Sequence, residues 1–402
     1  MTTLFRRQSG RMTSALVRML GVHRLALVED VVQETLLAAL QAWPAALPRD
    51  PEGWLFTVMR NRARDALRRE RTVERAIDHD VEGDVEAEAP TDESADVLQL
   101  MFSCCHPALT DDGRTGLILR LVCGFGTAEV ACAFLSERSA MEKRLVRAKK
   151  LLVDAGEPFE PSNHTQLQER QPAVLTALYL MFDAGYHGSV VAEPIRAELC
   201  AEAIRLVSVL ASAPATATAE VDALLALMYL HAARMPARVD ASGALLPLDQ
   251  QNRALWDAEL IARGMERLSA SARGDALSTY HLEAGIAAVH ALAPSVDATP
   301  WHEIVDLYDR LYAKTPTPVV ALGRAIALAQ VEGPARGIET LLAMAGKEQL
   351  EAYPFYWAAL GDLSLRAGAR IEALAWFQRG REVARNDAER AMFTRRAHEC
   401  VE

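Results

Sequence analysis

Along most of this chain the apolar residues recur three or four positions apart, and they seldom alternate. That spacing lines one face of an α-helix, whereas alternation would line one face of a strand. Half of the residues are apolar, and Ala and Leu, both strong helix formers, dominate among them. The fold class that follows is all-α, with room in 402 residues for roughly two to four domains. No apolar run approaches the ~20 residues of a membrane span. The opening residues, Met1 to Arg11, lack the apolar core of a signal peptide, which points to a cytoplasmic protein.

The stretch from Leu117 to Leu152 carries the most specific pattern. Leu117, Ile118, Leu121 and Val122 sit at helical spacing, and Gly124 and Gly126 then break the helix. Thr127 can cap a second, short helix with Val130, Ala131 and Phe134. Ser136 or Ser139 can cap a third, with Met141, Leu145, Ala148 and Leu152 along one side. Its other sides hold Arg138, Ser139, Lys143, Arg144, Arg147, Lys149 and Lys150. A short helix, a tight turn and a basic helix is how a helix-turn-helix meets a major groove. The same pattern also serves as plain core packing in helical proteins, so the segments upstream decide.

Residues 4–20 and 24–42 read as two helices, the second with Leu25, Val28, Val32, Leu36 and Leu40 on one face. Trp43-Pro44 stops it, and the segment from Pro44 to Gly53 is a loop. A third helix runs from Trp54 to about Arg71. Arg60, Arg64, Arg68 and Arg71 make a stripe along it, widened by Arg62 and Arg69, and only Asp65 and Glu70 oppose them. Leu55, Val58, Met59, Ala66 and Leu67 form the other side. Arginines that hold phosphates, beside Trp43 and Trp54 that can stack on bases, suit single-stranded DNA. Residues 1–71 carry 12 Lys and Arg against 7 Asp and Glu, whereas residues 72–98 carry 1 against 10. The stretch 72–97 is also poor in large apolar side chains and reads as an acidic linker. A net charge of −11 predicts weak binding to free DNA, with a partner supplying most of the affinity.

Two modules in this order resemble a known family. Residues 25–71 look like region 2 of an extracytoplasmic-function (ECF) sigma factor of the sigma-70 family. The residues that carry the likeness are Glu29-Asp30 with Gln33-Glu34, the Trp43-Pro44 stop, Trp54-Leu55, and Asn61, Asp65 and Arg68-Arg69. Residues 98–152 resemble region 4, ending in Arg144-Leu145-Val146-Arg147-Ala148-Lys149. The resemblance implies that Asp30, Gln33 and Glu34 bind core RNA polymerase at the β′ clamp helices, with region 4 reaching the β flap. It implies that the loop from Trp43 to Gly53 captures a base flipped from the −10 promoter element. Arg60, Asn61, Arg64 and Arg68, with Trp43 and Trp54, would hold the melted strand. Arg138, Ser139, Lys143, Arg144 and Arg147 would meet the −35 element. Glu142 departs from the usual basic or polar residue, although a carboxylate can accept from cytosine N4.

The remaining residues exceed a minimal factor of this type. Helices are expected near 172–185, 192–212, 219–235 and 250–268, after a boundary marked by Pro158, Pro161 and Pro172. Trp357-x2-Leu360-Gly361, followed by Ala373-x3-Phe377, matches the tetratricopeptide (TPR) pattern of stacked helix pairs. Val319-x2-Leu322-Gly323 is a weaker echo. Segments within 167–402 resemble the extension of one sigma-factor subgroup that carries a TPR-like C-terminal domain and generally lacks a dedicated anti-sigma factor. The expected domains are region 2 (1–71), linker (72–97), region 4 (98–157), helical extension (158–275) and TPR-like repeats (276–402).

Other classes fare less well. A helix-turn-helix regulator with a helical sensor, acting without polymerase, is the alternative, but it needs no melting module. His164, His187, His231, His281, His290 and His302 are scattered, with no paired-His metal motif, phosphate loop or nucleophile elbow, so no enzyme and no cofactor are expected. Cys104-Cys105-His106 reads as buried thiols, since adjacent ligands rarely close one tetrahedral zinc site. Asp240 to Gly243 reads as turn chemistry, without the spacing of a calcium loop.

Overall fold

The computed structural model describes residues 2–75, 93–134, 136–156, 164–187, 195–241, 244–274 and 276–401. They form eighteen α-helices, and the β-type pairing among them is one isolated bridge between Val239 and Leu245. The protein is all-α, as its periodicity predicts. It divides into two compact units, Met1–Leu180 and Met181–Glu402. No described helix is long and apolar enough to cross a membrane.

The first unit begins with α1 (Thr2–Leu20), α2 (Leu25–Ala42) and α3 (Pro51–Arg75). Gly21 makes the turn after α1 with φ +80°, a conformation glycine adopts without strain. Met12 and Leu16 of α1, Leu25 and Val28 of α2, and Leu55 and Met59 of α3 are fully enclosed. The buried face of α2 also takes Val31, Thr35 and Ala39, whereas Leu40 faces solvent. The inner face is thus rotated from the one read in the sequence. Helix α3 starts earlier than expected. Asp50 precedes it and its Oδ1 accepts from the Gly53 N–H at 3.0 Å, while Pro51 takes the first helical position. Both are strong start signals, and they shorten the loop to residues 44–50.

Helices α4 (Glu93–Ser103), α5 (Asp111–Leu121), α6 (Thr127–Ala133) and α7 (Arg138–Ala155) follow. Both ends of the acidic stretch are therefore helical, and residues 76–92 lie outside the described ones. Thr127 does not cap α6. Gly126 holds that position, and its N–H donates to Glu129 Oε2 at 2.8 Å. Neither Ser136 nor Ser139 caps α7, which begins after Glu137 without a side-chain cap. Helix α8 (His164–Tyr186) runs straight through Pro172, which the sequence had suggested as a boundary. Cys104 and Cys105 are buried thiols. Desolvation pushes Cys105 up to about 12 and holds Cys104 well above its usual value.

The second unit holds α9 (Ala197–Ser212), α10 (Ala219–Ala232), α11 (Ala258–Ser271), α12 (Thr279–Leu292), α13 (Trp301–Lys314), α14 (Pro318–Glu332), α15 (Pro334–Ala343), α16 (Pro354–Arg366), α17 (Arg370–Glu382) and α18 (Asp387–Glu399). Successive helices pack as neighbours: α10 with α11, α12 with α13, α14 with α15 and α16 with α17. Helix α10 is buried on every side from Val221 to Leu230, which makes it the axis of its neighbourhood. A Cβ on Gly361 of α16 would collide with the Phe377 ring of α17, and one on Gly380 would collide with Phe393 of α18. Two glycines thus admit two fully enclosed phenylalanines, and the Trp357 and Trp376 rings stack at 5.6 Å beside the first pair. Asp240 makes the anticipated turn contact, its Oδ1 accepting from the Ala244 N–H at 3.0 Å, while Ser242 and Gly243 lie outside the described residues.

Candidate nucleic-acid and polymerase interface

On α2 the exposed residues Asp30, Gln33 and Glu34 share the outer surface. Leu37 and Leu40 continue it and stand 56% and 49% exposed. Positions 30, 33, 37 and 40 follow helical spacing, so an acid, an amide and two leucines form one strip. Sequence reasoning missed the leucines because it assigned Leu40 to the core. The two open leucines give this polar surface an apolar strip.

On α3 the structure brings Arg60, Asn61, Arg64 and Arg68 to the solvent side, with Leu55, Met59 and Ala63 buried opposite. Arg62 turns toward α2 and pairs with Glu34 at 2.7 Å across the exposed edge of the two helices. Arg60 and Arg64 have no carboxylate at ion-pair distance among the described residues. They remain available to phosphate. The two tryptophans behave differently from each other. Trp43 is only 4% exposed, with its ring 5.2 Å from Phe5 and 5.6 Å, edge to face, from Trp54. It anchors the loop into the core and is closed to a base, so the stacking role read for it is not available in this structure. Trp54 is partly exposed. Leu47, at 65% exposure, and Arg49 are large side chains that the loop presents outward.

In the second module α7 buries Met141, Leu145, Ala148 and Leu152, the face read from the sequence. Arg138, Ser139, Glu142, Lys143 and Arg147 are exposed. Arg144 is engaged by Asp112 of α5 at 2.8 Å. The turn before α6 is built by Gly124, whose φ of +66° only glycine takes freely.

The two modules also hold each other. Lys149 of α7 reaches Glu29 of α2, with Nζ 2.6 and 2.7 Å from the two carboxylate oxygens. Arg6 of α1 pairs with Glu129 of α6 at 2.9 Å, both largely buried, and its guanidinium lies 5.5 Å from the centre of the Phe125 ring. Gly10 of α1 leaves no space for a side chain against the Val122 carbonyl. A cavity of about 260 Å³, lined by Glu29 and Gln33 on one side and Arg120 and Gly124 on the other, remains between them.

Comparison with known proteins fits this layout. Residues 4–73, which span α1 to α3, match the Sigma-70 region 2 family model. Residues 170–272 match a family of unknown function, DUF6596. Neither range includes α5 to α7. No solved structure matches the chain. A helical module with an arginine-striped α3 inside a region 2 match supports a sigma-70 type factor, for which core RNA polymerase and promoter DNA are the implied partners. The chain belongs to the same family as an uncharacterized protein of Rhizobium meliloti (strain 1021), being 37% identical to it over 378 residues, 91% of this chain and 88% of that protein.

Proposed function

We propose that the protein is an ECF-type sigma factor with a TPR-like regulatory extension, and that it directs core polymerase to −35 and −10 elements and helps melt the latter. The observation that carries this reading is the α3 surface. Arg60 and Arg64 lie open and unpaired by acids, next to an α2 strip of Asp30, Gln33, Leu37 and Leu40, inside a region 2 match. The strip docks on the β′ clamp helices, with Leu37 and Leu40 as its apolar anchors. The loop at residues 44–50 then receives the flipped base while Arg60, Asn61, Arg64 and Arg68 hold the strand's phosphates. Captured bases and held phosphates are what a melted strand requires. The exposed start of α7, with Arg138, Ser139, Lys143 and Arg147, reads the −35 duplex, and the β flap supports it. No dedicated anti-sigma factor is needed if the second unit supplies the control.

The two elements lie roughly 25 base pairs apart, about 85 Å of duplex at 3.4 Å per pair. Modules joined by the Glu29–Lys149 contact cannot span that distance, so the packed form is the resting one and polymerase binding separates them. Run-off transcription with purified core enzyme, on a promoter found by mapping transcription starts, tests the reading. Promoter-specific transcripts that require both proteins are expected. Binding to duplex DNA without core enzyme, and no association with core, would instead favour a helix-turn-helix regulator.

A further inference from the structure

The second unit holds a cavity of about 980 Å³ between Arg238, residues 245–254 and helices α13, α14 and α16 to α18. That volume is at the upper end of the range for small-molecule sites. Its electrostatics are unusual. Arg238 and Arg253 line it, and Arg234 binds the lining residue Gln251 through the Gln251 Oε1 at 3.3 and 3.4 Å. Arg234 and Arg253 lie over the Trp256 ring, 5.3 and 4.6 Å from its centre. Arg253 Nη1 donates to the His290 and Ala293 carbonyls at 2.5 and 2.6 Å, so the guanidinium is held in one orientation. Its other terminal nitrogen, Nη2, is buried and has no hydrogen-bond partner among the described residues.

None of these three arginines has a carboxylate at ion-pair distance among the described residues. Burial, and then mutual repulsion with Arg234, lowers the pKa of Arg253; burial dominates at Arg238 as well. The acids near the cavity are otherwise occupied or outward. Asp362 is paired with Arg396 at 2.5 Å, and Asp249 and Asp297 are exposed. Asp183 acts on Arg238 without an ion pair, whereas Arg253 meets burial and the charge of Arg234. Partly buried like charges of this kind are unfavourable by themselves, and an anion relieves them. Trp301, Ile326, Phe355 and Leu363 supply an apolar wall to the same space.

From this we infer that the cavity is a binding site for an organic anion with an apolar body, its acidic group held by Arg253 and its body against the wall. Arg366, exposed and bonded only to Gln330 at 3.1 Å, supplies a further cation at the same cavity.

Anilinonaphthalene sulfonate is a fluorescent anion of this shape, and phenylnaphthylamine is its uncharged counterpart. In fluorescence titrations of the full-length protein, saturable binding of the sulfonate at one probe per chain is expected. Arg253→Gln should weaken it about tenfold or more, the scale of a lost charge-assisted hydrogen bond, and should change the uncharged probe by less than about twofold. Arg366→Gln, on the surface and clear of the core, should weaken the sulfonate by about threefold or more through lost Coulomb attraction. It serves as the second reading if the first variant fails to fold. Ala359→Trp, placed in the wall, should remove both probes. Equal sulfonate affinity in wild type and both arginine variants would overturn the inference. So would an uncharged probe that binds as tightly as the anion, or fluorescence that rises without saturation.

Discussion

Single side chains divide the region 2 surface into those left open and those engaged by neighbouring helices. Arg60 and Arg64 point outward without an acid partner, while Arg62 is spent on Glu34. Replacing Arg60 and Arg64 together by Ala should therefore leave core binding intact and lower open-complex formation by about tenfold or more, since phosphate contacts supply a large share of the affinity. Permanganate footprinting of the melted strand reads this, and an unchanged footprint would refute it. The same replacement at Arg62 should act through the α2–α3 packing instead. A second residue-scale effect concerns the histidines of the second unit. Burial, then Arg234 and Arg238, pushes His231 down to about 3, and burial, then Arg234 and Arg253, does the same to His290. An unfolded chain takes up these protons near the ordinary value of 6.5 and the folded one does not. Their contribution is therefore present above that pH and lost as pH falls toward 3. Asp183, raised to about 6 by burial, acts in the opposite sense over part of this range. Burial lowers His187 in the same way and raises Glu220 and Asp362 as it raises Asp183. The histidine shifts begin nearest neutrality, so melting temperature should fall on acidification below about pH 6, and less so in a His231→Gln, His290→Gln variant.

Between helices, the close approaches set what the sequence could disclose. Gly361 belonged to a readable pattern because the TPR spacing couples it to Phe377 sixteen positions later. Gly380 and Phe393 repeat the device outside any such pattern, and only the packing reveals it. Gly361→Ala should destabilise the second unit by about 1–3 kcal/mol through overpacking, measured as a lower unfolding midpoint in denaturant. The helix content and the buried side of α7 were legible because a period of 3.6 residues needs no partner to be recognised. The face of α2 was misread, since several apolar stripes fit its composition and the position of α1 and α3 decides between them. Trp43 looked like a base-stacking residue because nothing in the linear order brings Phe5 near it. The contact between Glu29 and Lys149 joins residues 120 positions apart, and no local rule addresses such a pair. A double-mutant cycle at these two positions, read as the accessibility of α7 to DNA in the absence of core, should show positive coupling. Charge reversal of Lys149 to Glu should free the helix, and reversal of both should restore the packed form.

At the scale of the whole chain, a sigma-70 module is followed by a helical unit larger than itself, with its own core and its own cavity. The acidic stretch between α3 and α4 accounts for much of the net charge of −11, which is why the total charge conceals a basic N-terminal module. Two of the ties between the halves of the first unit are ionic, Lys149 to Glu29 and Arg6 to Glu129, beside the close packing of Gly10 on Val122. Dissolved salt weakens such ties, and it weakens phosphate contacts too. On the proposed function, opening and promoter binding respond to ionic strength in opposite directions. Initiation by this factor should rise and then fall across a salt titration, so that the cell's osmotic state becomes an input to it. A factor whose modules were never tied would show a monotonic decline instead.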